Sequence, residues 1–357
     1  MGARKITSRS GSRGRAALIT VALSLLAVMA LPLTGYVLHD AGVSAVAQSQ
    51  EDSAAATNPR AEYWRAVREG VSGYTSVEGQ ETGVLIQNGG ENWQEVRNGP
   101  VTFYGGSFII AVLIALAAKH VVFGKQKLEE ETGRRMTRWS AFERIMHWYV
   151  AITFIVLAIT GLSLIFGRTV LIPVMGKEAF AAFAAVAKPV HDYLALPFTA
   201  GLILMLLLWI PKNMLKGYDF KWLASAGGFF GDGHPPAGFA NAGEKVFFWL
   251  LFFGGIALMV SGFYLLFPNF GWERSSMQLA HVVHAVSGLF LIGVSLGHMY
   301  LGTFGVEGVL EGMIGGEVDE GFAKQHHNVW YDEVKSGGTA TSRDRAPAGT
   351  SAAAPST

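Results

Sequence analysis

The chain alternates long apolar runs with shorter polar stretches. Five runs carry the roughly 20 apolar residues that a helix needs to cross a bilayer. They predict spans at 102–123, 145–166, 192–210, 246–267 and 280–303. An earlier apolar run reaches about Leu38, behind an acid-free stretch with Arg4, Lys5, Arg9, Arg13 and Arg15. With Ala45-Val46-Ala47 after it, segment 1–47 reads as a signal peptide cleaved after Ala47 or, given its length, as an uncleaved anchor. Either form sends 48–101 across the membrane. That segment is polar, Gly-rich and more acidic than basic. It is expected to be a periplasmic segment that docks on a partner or acts as a spacer.

Charge orients the spans. The loops 124–144 and 211–245 carry ten Lys/Arg, whereas 167–190 and 268–278 carry four. The positive-inside rule therefore puts the first two loops and the C-terminus in the cytoplasm, and 48–101 outside. Residues 336–357 are rich in Ser, Thr, Ala, Gly and Pro and are expected to be disordered.

Half of the 357 residues are hydrophobic, which makes the chain a multi-pass membrane protein of all-α class. The net charge is +1, so nothing points to nucleic acid. With no cysteine the chain has no disulfide, no iron–sulfur cluster of its own and no covalent c-type haem. A cofactor held by histidine passes this filter.

The apolar span 280–303 nevertheless contains His281, His284 and His298. Ionisable groups inside a membrane are costly and mark functional positions. His284 and His298 are fourteen residues apart, which is nearly four turns. Their rings share a face and lie about 21 Å apart along the axis. His281 is rotated by roughly 100° from His298, so His284 is preferred. Depth then pairs His147 with His298 on the inner side and His191 with His284 on the outer side. Two such pairs suit two b-type haems, and bis-histidine iron has no open position, so it passes electrons. Gly161 lies fourteen residues after His147, at the outer depth, where a missing side chain would let a porphyrin approach; ordinary close helix packing is the alternative. His39, His234, His326 and His327 lie in polar segments and are expected to be solvated. His120 is placed at an interface rather than among the ligands.

Several motifs resemble one family. Arg144-Ile145-Met146-His147-Trp148, Asn241-Ala242-Gly243-Glu244-Lys245 with Phe248-Trp249, and His284-Ala285 with His298-Met299-Tyr300 are similar to the gamma subunit of membrane-bound formate dehydrogenases, a dihaem cytochrome b. Gly312-Met313-Ile314, Ala323-Lys324, His326-His327 and Trp330-Tyr331 extend the likeness over about 138–335. The resemblance implies a four-helix haem-binding core, with 102–123 as an additional helix. It also implies a quinone site on the cytoplasmic side at Asn241, Gly243 and His298. The family often has Gln where this chain has Glu244, which leaves residue 244 to bond the quinone, relay a proton or cap the helix. Asn241 also suits a helix cap.

The expectation is an electron-transfer subunit without catalysis of its own, in the inner membrane of a bacterium. Electrons would come from an iron–sulfur beta subunit and a catalytic alpha subunit, pass two haem b groups, and reduce menaquinone or ubiquinone. A cytochrome b of a nickel–iron hydrogenase, or of another quinone-linked periplasmic oxidoreductase, has the same pattern with a different donor. A non-redox anchor or transporter, with histidines lining a polar cavity, is the alternative from another class.

Overall fold

The computed structural model describes residues 92–228 and 233–337. The expectations for 1–47, for 48–101 before residue 92 and for the tail beyond 337 lie outside the described residues. Among the described residues, five helices are long and apolar enough to cross a membrane: α1 (Trp93–Phe123), α2 (Ala141–Met175), α3 (Lys177–Asn213), α5 (Ala242–Leu266) and α6 (Arg274–Gly305). The short α4 (Gly217–Ala224) lies between α3 and α5. Each predicted span overlaps one of the five long helices.

The helix ends differ from the sequence expectation. The predicted outer loop 167–190 is helical: α2 continues through a π turn at Gly167–Leu171, and α3 starts directly after Gly176. Gly176 has φ +85°, a conformation that suits a residue without Cβ and breaks the helix there. The alanines between 179 and 187 favour helix. Pro189 and Pro197 sit inside α3 rather than at its start. Lacking a backbone donor, each proline interrupts the hydrogen-bond ladder without ending the helix. At 37 residues α3 is about 55 Å long, well beyond the roughly 30 Å of bilayer hydrocarbon.

On the side rich in Lys and Arg, two helices start at matching capping boxes. Ser140 Oγ accepts from Glu143 N (3.3 Å), and Glu143 Oε2 accepts from Ser140 N (3.1 Å). Asn241 and Glu244 repeat this at α5, with distances of 2.9 and 3.0 Å. Both boxes satisfy backbone N–H groups that the first helical turn leaves free.

Helices pack through small residues. A Cβ at Gly105 of α1 would meet Leu289 at 2.3 Å, and one at Gly293 of α6 would meet Phe108 at 2.1 Å. The two helices thus interlock reciprocally, and Val101, Phe108, Val282, Val286 and Leu289 form the core between them. Gly201 of α3 lies against the Tyr149 ring of α2 in the same way. Close backbone approach through glycine is the usual means of membrane helix association. A second core joins α2, α3 and α5 through Val150, Leu157, Phe198, Leu202, Met205 and Phe248.

A folded cap covers the basic side. The strand β1 (Arg135–Thr137) pairs antiparallel with β2 (Glu317–Asp319), with Met136 opposite Val318. Around them lie α7 (Val309–Gly315), α8 (Glu320–His326) and α9 (Asn328–Ser336). Met136, Val318, Phe322, Ala323 and Trp330 form the cap's core. Asp319 stitches the two chain segments together: Oδ1 accepts from Thr132 N (3.1 Å) and Gly321 N (2.7 Å), and Oδ2 from Gly133 N (2.9 Å).

Candidate functional site

The four histidines singled out by spacing come together as two pairs. The rings of His191 (α3) and His284 (α6) have centroids 6.2 Å apart, and those of His147 (α2) and His298 (α6) 6.1 Å apart. With a metal–imidazole bond of about 2 Å on each side, two rings facing one metal stand about 6 Å apart. Fourteen residues separate the two levels on α6, about 21 Å of helix. His281 does not join them. Its ring stacks on Trp93 of α1, with centroids 4.8 Å apart. His120 contacts the Tyr300 hydroxyl at 3.2 Å.

The pair far from the cap is built by a device repeated on two helices. Thr160 Oγ1 lies 2.9 Å from His191 Nδ1, and Ser261 Oγ lies 3.2 Å from His284 Nδ1. Each hydroxyl has one proton and directs it to a carbonyl one turn back: Thr160 to Val156 O (2.9 Å), Ser261 to Ala257 O (2.6 Å). The oxygen then accepts from the imidazole, which fixes the proton on Nδ1. Nε2 keeps its lone pair for a metal, and the hydroxyl acts as the outer partner that orients the ring. A glycine follows each hydroxyl. A Cβ at Gly161 would meet His191 Cε1 at 3.1 Å, and one at Gly262 would meet His284 Cε1 at 3.1 Å. Gly161 therefore makes room for an imidazole, the ring that would hold the cofactor.

Sequence reasoning did not single out Thr160, Ser261 or Gly262. The signal was a hydroxyl–glycine dipeptide in the span neighbouring each histidine helix.

The pair near the cap is held by aromatic rings. His298 stacks on Phe247 of α5, with centroids 4.3 Å apart and planes 2° from parallel. His147 faces Trp209 of α3, with centroids 6.2 Å apart. His147 Nδ1 is buried without a hydrogen-bond partner among the described residues.

A cavity of about 370 Å³ opens between α5, α6 and the cap. Asn241, Gly243, Glu244 and His298, the quinone candidates, all line it. Asn241 and Glu244 both serve the capping box described above. Glu244 also pairs with the buried Arg138, whose Nη2 lies 3.2 Å from Oε2. Gly243 lies under Trp222 of α4, which a Cβ would meet at 2.8 Å. Behind this wall Lys245 and Asp219 form an ion pair (2.7 Å) with side chains 2% and 1% exposed.

Two expectations are corrected here. His326 and His327 are not solvated. His327 is 1% exposed, and its Nδ1 donates to Gly238 O (2.8 Å). His326 lines the cavity with a buried Nε2. Their local sequence is polar, but the tail folds back under the loop before α5, which encloses His327 and half-buries His326. Burial pulls His327 down to about 3 and His326 to about 4. Both stay neutral at physiological pH. His234 keeps one face in solvent and contacts Glu129 Oε1 at 3.0 Å.

The family model for prokaryotic cytochrome b561 matches residues 138–316, half of the chain. That stretch contains α2 to α6 and all four paired histidines. The nitrate-inducible formate dehydrogenase cytochrome b556(Fdn) subunit of Escherichia coli strain K12 is 29% identical over 213 residues, covering 57% of this chain and 93% of the relative. The formate dehydrogenase cytochrome b556(fdo) subunit of the same strain is 28% identical over 208 residues, covering 56% and 93%. The formate dehydrogenase cytochrome b556 subunit of Haemophilus influenzae is 27% identical over 213 residues, covering 58% and 87%. The chain belongs to the prokaryotic cytochrome b561 family and is a multi-pass membrane protein built to carry haem b.

Proposed function

We propose that this chain is the membrane cytochrome b subunit of a formate dehydrogenase complex and passes electrons across a bacterial inner membrane to quinone. The observation that carries the reading is the pair of ring separations, 6.1 and 6.2 Å, at two levels of one helix. The names of the relatives supply formate dehydrogenase as the complex.

His191 and His284 would hold one haem on the outer side, and His147 and His298 would hold one on the inner side. Two b haems, when bound, would carry single electrons from the outer level to the inner one. The chain's own contribution is to hold the four imidazoles in place, bury them and fix their protons. Thr160 and Ser261 orient the rings and fix the protons outside; Phe247 and Trp209 pack the rings inside. Electrons enter from an iron–sulfur beta subunit and a catalytic alpha subunit docked on the outer face. The cap lies in the cytoplasm, on the side whose loops 124–144 and 211–245 carry ten Lys/Arg against four in the loops of the other side.

Quinone occupies the cavity beside His298. Asn241 and Gly243 shape its wall, and Glu244 lies within it, opposite Arg138. Protons for the quinol come from the cytoplasm. Inward electron movement and proton uptake inside together generate a membrane potential.

The test is a pyridine haemochrome count on the purified complex, followed by addition of formate. Two haems per chain, both reduced by formate, are expected. A single haem per chain overturns the ligand scheme. Reduction by hydrogen but not by formate overturns the assigned complex in favour of a hydrogenase subunit.

A further inference from the structure

The cavity contains a histidine for which the proposed function has no use. His326 closes α8, and its Nε2 is buried at the cavity wall without a hydrogen-bond partner among the described residues. Buried polar atoms nearly always have a partner. An unmet one beside an open cavity marks where a bound polar group belongs. Phe322 packs on the ring at 4.9 Å and fixes its direction.

A second histidine, His234, lines the same cavity and links it to water. Its Nε2 lies 3.0 Å from Glu129 Oε1, and the Glu129 side chain is 67% exposed. The charged and titratable groups acting on His326 are His234, Glu244, Arg138, Glu129 and the adjacent His327. They come from the loop after α1, from β1 and its flank, from the loop before α5, from α5 itself and from the tail. A chain of ionisable groups therefore runs from the cap surface (Glu129, His234) to the cavity interior (His326).

We propose that His326 is the proton donor to one oxygen of the quinone bound in this cavity, and that Glu129 and His234 resupply it from the cytoplasm. This rests on the reading of the cavity as the quinone site. In the ground state neutral His326 donates its Nε2–H to a quinone carbonyl. Reduction needs two electrons, from formate oxidation upstream, and two protons. A proton passed from the His234–Glu129 pair makes His326 a transient imidazolium. Its Nε2–H bond then breaks, an O–H bond forms on the reduced quinone, and the ring returns to neutral. The other oxygen is protonated separately from the cytoplasmic side. Burial, which makes the imidazolium costly, also makes it a strong acid toward a reduced quinone oxygen.

The test uses the whole complex in lipid nanodiscs, with menadione and decylubiquinone as probes. Binding is followed by calorimetry without formate, and turnover is followed with formate from pH 6 to 9. His326→Leu is expected to weaken probe binding about tenfold and to slow turnover on the order of 100-fold. Haem content and formate-driven haem reduction without quinone should persist. His326→Gln, which can still donate a hydrogen bond, should restore binding but not turnover. His234→Gln should leave binding intact and slow turnover. If His326→Leu binds both probes and turns over like the parent, the inference is wrong and the quinone site stands. His326→Gln with full turnover overturns the proton role. If the parent complex binds neither probe, the quinone reading itself fails, and this inference with it.

Discussion

Thr160 Oγ1 and His191 Nδ1 stand 2.9 Å apart, and the hydroxyl has already committed its proton to Val156 O. The imidazole is therefore the donor, and its other nitrogen is left free of hydrogen. Outer partners of this kind typically affect metal affinity by 10–100-fold. Thr160→Val keeps the volume and removes the acceptor. It should lower outer-haem retention by about that factor and shift its midpoint potential. Ser261→Ala should act on the same haem. A redox titration in which the inner haem shifts instead would refute the assignment.

The glycines next to these hydroxyls make a steric prediction. At Gly161 and Gly262 a Cβ would lie 3.1 Å from an imidazole carbon, so the ring must give by a few tenths of an ångström. Ligand rings need tight positioning. Gly161→Ala and Gly262→Ala should each reduce outer-haem content while leaving helix content and the inner haem unchanged. Circular dichroism and haem counting on the same samples check this. Loss of both haems together would instead mean that the substitution had disturbed the whole bundle.

Much of this was legible in the sequence, for physical reasons. A run of about 20 apolar residues has few other uses, so all five spans could be read. The fourteen-residue step from His284 to His298 fixes face and depth by helix geometry alone. The hydroxyl–glycine dipeptides were visible but ambiguous, because a Ser or Thr in a helix bonds back to its own carbonyls whether or not a histidine is near. The cap was not legible. Its strands have three residues each, and Asp319 reaches back to Thr132 and Gly133 across most of the chain. The burial of His326 and His327 depends on that long-range fold and leaves no local trace. His281 was the reverse case: its sequence position allowed a ligand, and Trp93, from a helix outside the four-helix core, takes up its ring.

Lys245 and Asp219 offer a test of the cavity wall. Their ion pair is 2.7 Å long, with both side chains almost fully enclosed. Breaking such a pair from one side leaves a buried charge and typically costs about 3–5 kcal/mol. Lys245→Met alone should lower the thermal midpoint of the solubilised complex substantially. Adding Asp219→Leu to that variant should recover most of the loss, since no charge is then left buried. If the double variant is no more stable than the single one, the destabilisation comes from packing around Trp222 and Gly243, not from the unpaired charge.

The cap should respond to acid in a way that His327 determines. Its ring is enclosed, donates to Gly238 O, and is pulled down to about 3 from an ordinary value of 6.5, first by burial and then by the Arg138 charge. In the unfolded chain the same ring takes up a proton below about 6.5. The unfolded state thus binds more protons between 6.5 and 3, and stability falls as pH falls through that window. At about 1.4 kcal/mol per pH unit, the loss reaches on the order of 4 kcal/mol near pH 3.5. His326, at about 4, adds to the same slope. Burial would raise the Glu320 carboxyl, but hydrogen bonds from Lys335 and Tyr331 outweigh it and hold the group below 4.5. Glu320 therefore contributes only at the acid end, and from pH 6.5 to about 4.5 the histidines set the slope. Hydrogen exchange of cap amides from α8 and α9 should accelerate across that interval beyond the intrinsic pH trend. In His327→Asn, where the side-chain amide can still reach Gly238 O, most of the acceleration should disappear. An unchanged slope in that variant would place the acid-sensitive group elsewhere in the cap.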